Sequence, residues 1–228
     1  KMKYLTLIVL LVVSLGAKKY ELTLADIEPA LAGTGIAEQI GFADKESIVT
    51  YMKIGKSSYD DFFKTSAKLN GLSVLATVMT STTTDQLKKY AMSKYAEEAM
   101  QENIKEFVGD VPPEEWSTEQ SLAVMRMAKE QDKISNDEKE YFVNTALSLA
   151  IVAASLTKGT EEVGDLIKDG KSLLKNITKA KLKLKQIKPA TKGLKGSIKN
   201  LKNFKENAPV AAEEMAVLVK GFKMLGES

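Results

Sequence analysis

Apolar residues in this chain recur at intervals of three and four, and no segment sustains the alternation of period two that a half-buried strand needs. From Asp85 to about Val108 they fall at Leu87, Ala91, Tyr95, Ala99, Ile104 and Phe107, one stripe of a 3.6-residue repeat. The punctuation agrees. Ser58, Ser117 and Ser135 precede Asp61, Gln120 and Glu138 by three residues. At that spacing a serine hydroxyl and a carboxylate or amide side chain satisfy each other's first-turn backbone N–H groups. Five Pro and 14 Gly in 228 residues fall short of the turn density of an all-β protein. The pattern predicts an all-α fold, a helical bundle of five to eight helices without internal repeats.

Helix boundaries follow from the breakers. Pro29, Gly33, Gly35 and Gly41 predict a short helix and loops over 20–43, then a short helical run from Asp44 to about Ile54, ended by Gly55. A helix opens at Ser58 and continues through Phe62, Phe63 and Leu75 to Met79. The Ser-Thr-Thr-Thr cluster at 81–84 predicts a break before the helix that begins at Asp85. Gly109 and Pro112-Pro113 close that one, and further helices start from Ser117 and Ser135, the latter reaching Leu156. From Thr160 a helical pattern leads to Ile187, and Pro189 is expected to end it. Gly193 and Gly196 weaken the stretch to Phe204, and Pro209 fits the first turn of a last helix, Val210 to Leu225. Phe62, Phe63, Tyr95, Trp116, Phe142 and Phe222 are expected in the core or at helix junctions, with Trp116 pinning the loop after Pro112-Pro113.

The first seventeen residues stand apart. Lys1 and Lys3 make a positive start, Leu5 to Val13 is apolar except for Thr6, and Ser14-Leu15-Gly16-Ala17 is a small-residue exit. That is the layout of a secretory signal peptide. As a helix, Tyr4 to Ala17 would rise about 21 Å, short of the roughly 30 Å hydrocarbon core. A cleaved signal is therefore expected over 1–17, with a single helical domain over 18–228, and no later segment is expected to span a membrane. Leu15-Gly16-Ala17 resembles the lipobox of bacterial lipoprotein signal peptides. The resemblance implies anchoring through a lipidated cysteine, but Lys18 stands where that cysteine would be. Ordinary signal-peptidase cleavage remains, with Ser14 and Gly16 as the small flanking residues. The expected address is the periplasm or cell envelope.

The side-chain inventory narrows the chemistry. The chain has no His and no Cys, and Arg126 is its only arginine. Imidazole bases, thiol nucleophiles, disulfides and the usual zinc sites are thereby removed. Carboxylates are the remaining acids, but Asp60-Asp61, Glu97-Glu98, Glu114-Glu115 and Glu161-Glu162 are adjacent pairs. Neighbours on a helix point about 100° apart rather than at one target. No calcium loop, phosphate-cradling glycine loop or nucleophile elbow is present. No catalytic residue, cofactor or metal is assigned, and a non-enzymatic protein is expected.

With 44% hydrophobic and 28% charged residues the chain suits a globular fold, but its charge is unevenly shared. Residues 20–156 carry 13 basic against 22 acidic side chains, whereas 157–228 carry 16 lysines against 8 acids. Within 171–205 stand Lys171, Lys175, Lys179, Lys181, Lys183, Lys185, Lys188, Lys192, Lys195, Lys199, Lys202 and Lys205, and no acid. Leu166, Leu173, Ile177, Leu184, Ile187, Leu194, Ile198, Leu201 and Phe204 interleave with them mostly at helical spacing, predicting an amphipathic basic stretch with one apolar face. Such a stretch suits a membrane surface or a partner protein. The expected partner is an anionic lipid surface, an acidic protein or a polyanion. Base-specific nucleic-acid recognition is not expected from lysine alone. The plainer alternative docks the stripe on the bundle, with the lysines facing the acidic remainder of the chain.

The run from Phe142 to Leu156 holds a second feature. Ala146, Ala150 and Ala154 form a small-residue stripe at four-residue spacing. In a soluble bundle it would mark the tightest core contact; in lipid such a stripe pairs helices. Two further readings follow. One is a membrane-perturbing protein that inserts 142–156, as helical pore-forming toxins insert apolar helices. The other is a structural or assembly subunit of the envelope.

Overall fold

The computed structural model describes residues 18–33, 47–96 and 104–227. The leading segment 1–17, which carries the export expectation, lies outside them. Among the described residues the chain is an all-α bundle: α1 (Leu24–Ile27), α2 (Ser57–Tyr95), α3 (Thr118–Glu130), α4 (Asn136–Lys175) and α5 (Leu184–Gly226), with further helical residues at 104–108. Helices α2, α4 and α5, of 39, 40 and 43 residues, carry the fold. At 1.5 Å per residue each is roughly 60 Å long. Helices α4 and α5 form the most extensively packed pair. They run antiparallel, which sets Gly159 against Phe204, Gly170 against Ile198 and Gly226 against Val143.

Two of the expected capping boxes are present. The Ser117 hydroxyl accepts from the Gln120 N–H at 3.1 Å, and the Gln120 side chain accepts from the Ser117 N–H at 2.9 Å. Ser135 and Glu138 make the same exchange at the start of α4. The third start differs. Helix α2 begins at Ser57, and it is Asp60 whose carboxylate accepts from the N–H groups of Ile54 and Gly55, at 2.7 and 3.0 Å.

That contact ties α2 to an element the periodicity did not predict. Strands β1 (Lys18–Leu22) and β2 (Val49–Lys53) pair antiparallel, with Lys18 opposite Lys53 and Leu22 opposite Val49. The helical run expected over 44–54 is thus corrected to a strand at 49–53. Val49, Thr50 and Tyr51 favour extended backbone. The partner strand comes from 27 or more residues earlier rather than through a tight turn, so no local hairpin signal marks it.

Other corrections concern helix breaks. Helix α2 runs unbroken through 81–84, because Met79, Thr83, Leu87 and Ala91 lie on its buried face. Packing there outweighs the threonines' modest helix penalty, a few tenths of a kcal/mol each. Helix α4 passes Gly159 and reaches Lys175. A Cβ at Gly159 would stand 2.8 Å from the Phe204 ring, and one at Gly170 would stand 2.6 Å from the Phe62 ring. Close approach, rather than chain termination, accounts for both glycines. Pro189 does not end a helix and Pro209 does not start one; both lie inside α5. The carbonyls they leave unpaired belong to Lys185 and Lys205, both exposed, so water can satisfy them. By length and composition alone, α4 is also long and apolar enough to cross a membrane, contrary to expectation, although its buried face belongs to the core.

The core is densest where α2, α4 and α5 meet. Phe142 and Phe222 are fully buried with ring centroids 5.3 Å apart, and Tyr90 meets Phe142 edge-on at 5.4 Å. Trp116 packs edge-on against Tyr95 and donates its indole N–H to the Val111 carbonyl at 3.0 Å, pinning the loop after α2.

Glu138 joins the α4 cap to α2. Its carboxylate meets Lys94 Nζ at 3.0 Å, with both side chains 15% exposed. Burial pushes its pKa up, but the Ser135 N–H and the Lys94 ammonium outweigh that and hold it below the ordinary 4.5. A lowered carboxylate stabilises the fold above its unfolded-state pKa and loses that contribution as pH falls through the folded value. Glu138→Gln should therefore flatten the fall in melting temperature below pH 4.5 and cost about 1–3 kcal/mol at neutral pH. Thermal unfolding across pH checks both.

Candidate anionic-ligand surface

The lysine-rich segment is not one helix. Lys171 and Lys175 lie at the end of α4, Lys179, Lys181 and Lys183 lie in the connection, and the rest lie along α5. A short 3-10 turn, Ile177–Lys179, and Lys181 in the left-handed region (φ 52°) reverse the chain. All twelve lysines are exposed. None forms an ion pair with a described residue; the pairs present there are Lys94 with Glu138 and Lys168 with Asp165.

The expected apolar face is divided by the same reversal. Leu194, Ile198, Leu201 and Phe204 are buried, and Ile177 is 9% exposed. Leu184, expected on that face, is instead 89% exposed. It sits at the hairpin apex in the run Lys181-Leu182-Lys183-Leu184-Lys185. A straight helix over 171–205 would spread its charges along about 50 Å; folding back draws them toward one end.

Two hydrogen bonds identify that end. The Tyr59 hydroxyl, on the first turn of α2, donates to the Leu173 carbonyl at 3.1 Å, and the Gln186 amide donates to the Ile54 carbonyl. The start of α2, the ribbon, the end of α4 and the start of α5 therefore gather together. Lys18, Lys53 and Lys56 join the apex lysines there, with the Lys53 ammonium 4.2 Å from the Tyr20 ring centroid. Sequence reasoning missed these three, because only ribbon pairing brings them to the apex. The opposite end holds the end of α2, the start of α4 and the connection between them. It mixes both signs: Glu114, Glu115, Glu119, Asp137 and Glu140 stand among Lys88, Lys89, Lys105, Lys129 and Lys139, whereas no acid interrupts the lysines of 171–205. The apex lysines can attract an anionic surface over roughly a Debye length, about 10 Å at 0.1 M salt.

The alanine stripe does not act as a unit. Ala146 is buried, Ala150 half-buried and Ala154 exposed. Four residues turn a helix by about 400°, so each step drifts 40° and the stripe winds out of the interface. Close approaches to α4 that leave no room for a Cβ fall instead at its own Gly159 and Gly170, and at Gly226 of α5 against Lys139 and Val143. Among the described residues no three carboxylates converge on a metal-sized site, and Asp60 is occupied as the clasp between ribbon and α2. No protein-family model, curated protein or solved structure matches the chain.

Proposed function

We propose that this is an exported, non-enzymatic envelope protein that binds an anionic membrane surface through the lysine-rich end of its bundle. The observation that carries this reading is the apex: a leucine 89% exposed, flanked on both sides by exposed lysines. Burying a leucine in the acyl boundary contributes about 1.5–3 kcal/mol, and each lysine near an anionic surface about 1 kcal/mol. The lysines need break no ion pair with a described residue to do so. An acidic soluble partner would use the charge but give no reason for the leucine. Export rests on the layout of residues 1–17.

Vesicle flotation tests the membrane reading. The protein should float with phosphatidylglycerol vesicles at low salt, remain behind with neutral vesicles, and lose most of its binding at about 0.5 M salt. Equal recovery on neutral and anionic vesicles would refute it. The mass of the mature N-terminus, measured on protein from cells, tests export and any lipid attachment.

One observation favours a second reading, insertion of 142–156: α4 is apolar and long enough to cross a bilayer, and Val143 and Leu147 on it are 38% and 53% exposed. Insertion would have to withdraw Phe142, Leu149, Val152 and Leu156 from the core, where each is fully buried. Dye release separates the two readings, since a peripheral binder causes none.

A further inference from the structure

We infer that the cleft between the ribbon, α2 and α5 is a binding site for a small phosphorylated polyol. The cleft has a volume of 130 Å³, close to that of a cavity known to admit one benzene-sized guest, about 150 Å³. Two lysines line it, Lys19 from β1 and Lys192 from α5, and no carboxylate does. Two ammonium-bearing side chains in a lining without a carboxylate favour an anion, and phosphate accepts from several such donors at once.

The neutral lining suits hydroxyl groups. Asn70 and Asn200 bring amides, each able to donate and to accept, from facing helices α2 and α5. Ser66 lines the cleft while only 3% exposed, and no hydrogen bond among the described residues uses its hydroxyl. That hydroxyl is not a sealed, orphaned group as the Thr83 and Ser121 hydroxyls are; it opens to the cleft, where a ligand hydroxyl can meet it. Met52 and Phe63 offer an apolar wall to the carbon face of the polyol.

The two glycines in the lining separate packing from ligand space. A Cβ at Gly193 would stand 2.2 Å from the Met52 methyl, so packing accounts for that residue. A Cβ at Gly196 would meet nothing within 4 Å. Glycine is disfavoured inside a helix, and neither a turn nor a contact requires it here. Its bare backbone keeps the cleft open.

The same chemistry could arrive as a free solute or as a phospholipid headgroup. The site does not depend on the membrane reading. Titrating sn-glycerol 3-phosphate into the full ¹⁵N-labelled chain should give saturable shifts confined to amides around the cleft. Gly196→Leu should keep or slightly raise the melting temperature and lose those shifts, and Lys192→Gln should weaken binding at least about tenfold. Competition by phosphatidylglycerol but not phosphatidylserine vesicles would identify a headgroup; saturable binding without competition would identify a free solute. Absent shifts in the unmodified protein, unchanged shifts in Gly196→Leu, or shifts spread over all exposed lysines would each overturn the proposal. Flotation of Gly196→Leu on phosphatidylserine vesicles should match that of the unmodified protein, so failure of the cleft and failure of the membrane reading are separable.

Discussion

Glutamine at Lys179, Lys181, Lys183 and Lys185 together should weaken binding to phosphatidylglycerol vesicles by roughly a thousandfold at low salt. The figure follows from about 1 kcal/mol per lysine near an anionic surface, summed over four, at about 1.4 kcal/mol per tenfold change. All four side chains are exposed and unpaired among the described residues, so each replacement should change fold stability by no more than about 0.5 kcal/mol. Lys181 sits at φ 52°, where glutamine meets the same backbone restriction as lysine. Leu184→Ser divides the apex differently. It removes the apolar anchor and leaves the charge, so its loss of binding should persist at high salt, where the lysine contribution is screened. Vesicle sedimentation at two salt concentrations measures both variants. Undiminished binding by the fourfold variant would remove the apex from the proposed function.

Local chemistry was legible in the chain, and assembly across distance was not. The helical class and the boxes at Ser117 and Ser135 depend on residues three or four apart, so a linear scan detects them. The ribbon depends on Tyr20 meeting Tyr51, and no short-range signal spans that separation. Helices continue past expected breaks wherever packing overrides a local preference. Thr83 is buried within α2, and Gly159 admits the Phe204 ring. Pro189 and Pro209 sit inside α5 because Lys185 and Lys205, whose carbonyls lose a partner, lie at exposed positions. Composition revealed the lysines but not their geometry. The reversal near Lys181 places Leu184 at a tip, and the ribbon brings Lys18 and Lys53 beside it. The cleft was least legible, since its lining comes from β1, β2, α2 and α5, and of the twelve lysines that composition singled out only Lys192 lines it.

Phe142→Ala should destabilise the fold by about 3–5 kcal/mol, a large share of the roughly 5–15 kcal/mol that holds a domain together. Phe142 is fully buried, its ring meets Tyr90, Tyr141 and Phe222 at 5.4, 5.7 and 5.3 Å, and α2, α4 and α5 all converge on it. Three long helices cannot close on the void without losing contacts elsewhere, so little relaxation should offset the loss. Phe142→Leu, which keeps most of the volume, should cost no more than about 1.5 kcal/mol. Urea unfolding of the pair measures the difference. The same variants probe function, because Phe142 sits near the start of α4 and the apex lies at the other end of the bundle. Below its melting temperature Phe142→Ala should float with anionic vesicles as the unmodified protein does, since the groups proposed to bind lipid are untouched. Dye release that appears only when this core is weakened would show that freeing α4 lets it enter the bilayer, and the insertion reading would then displace the peripheral one.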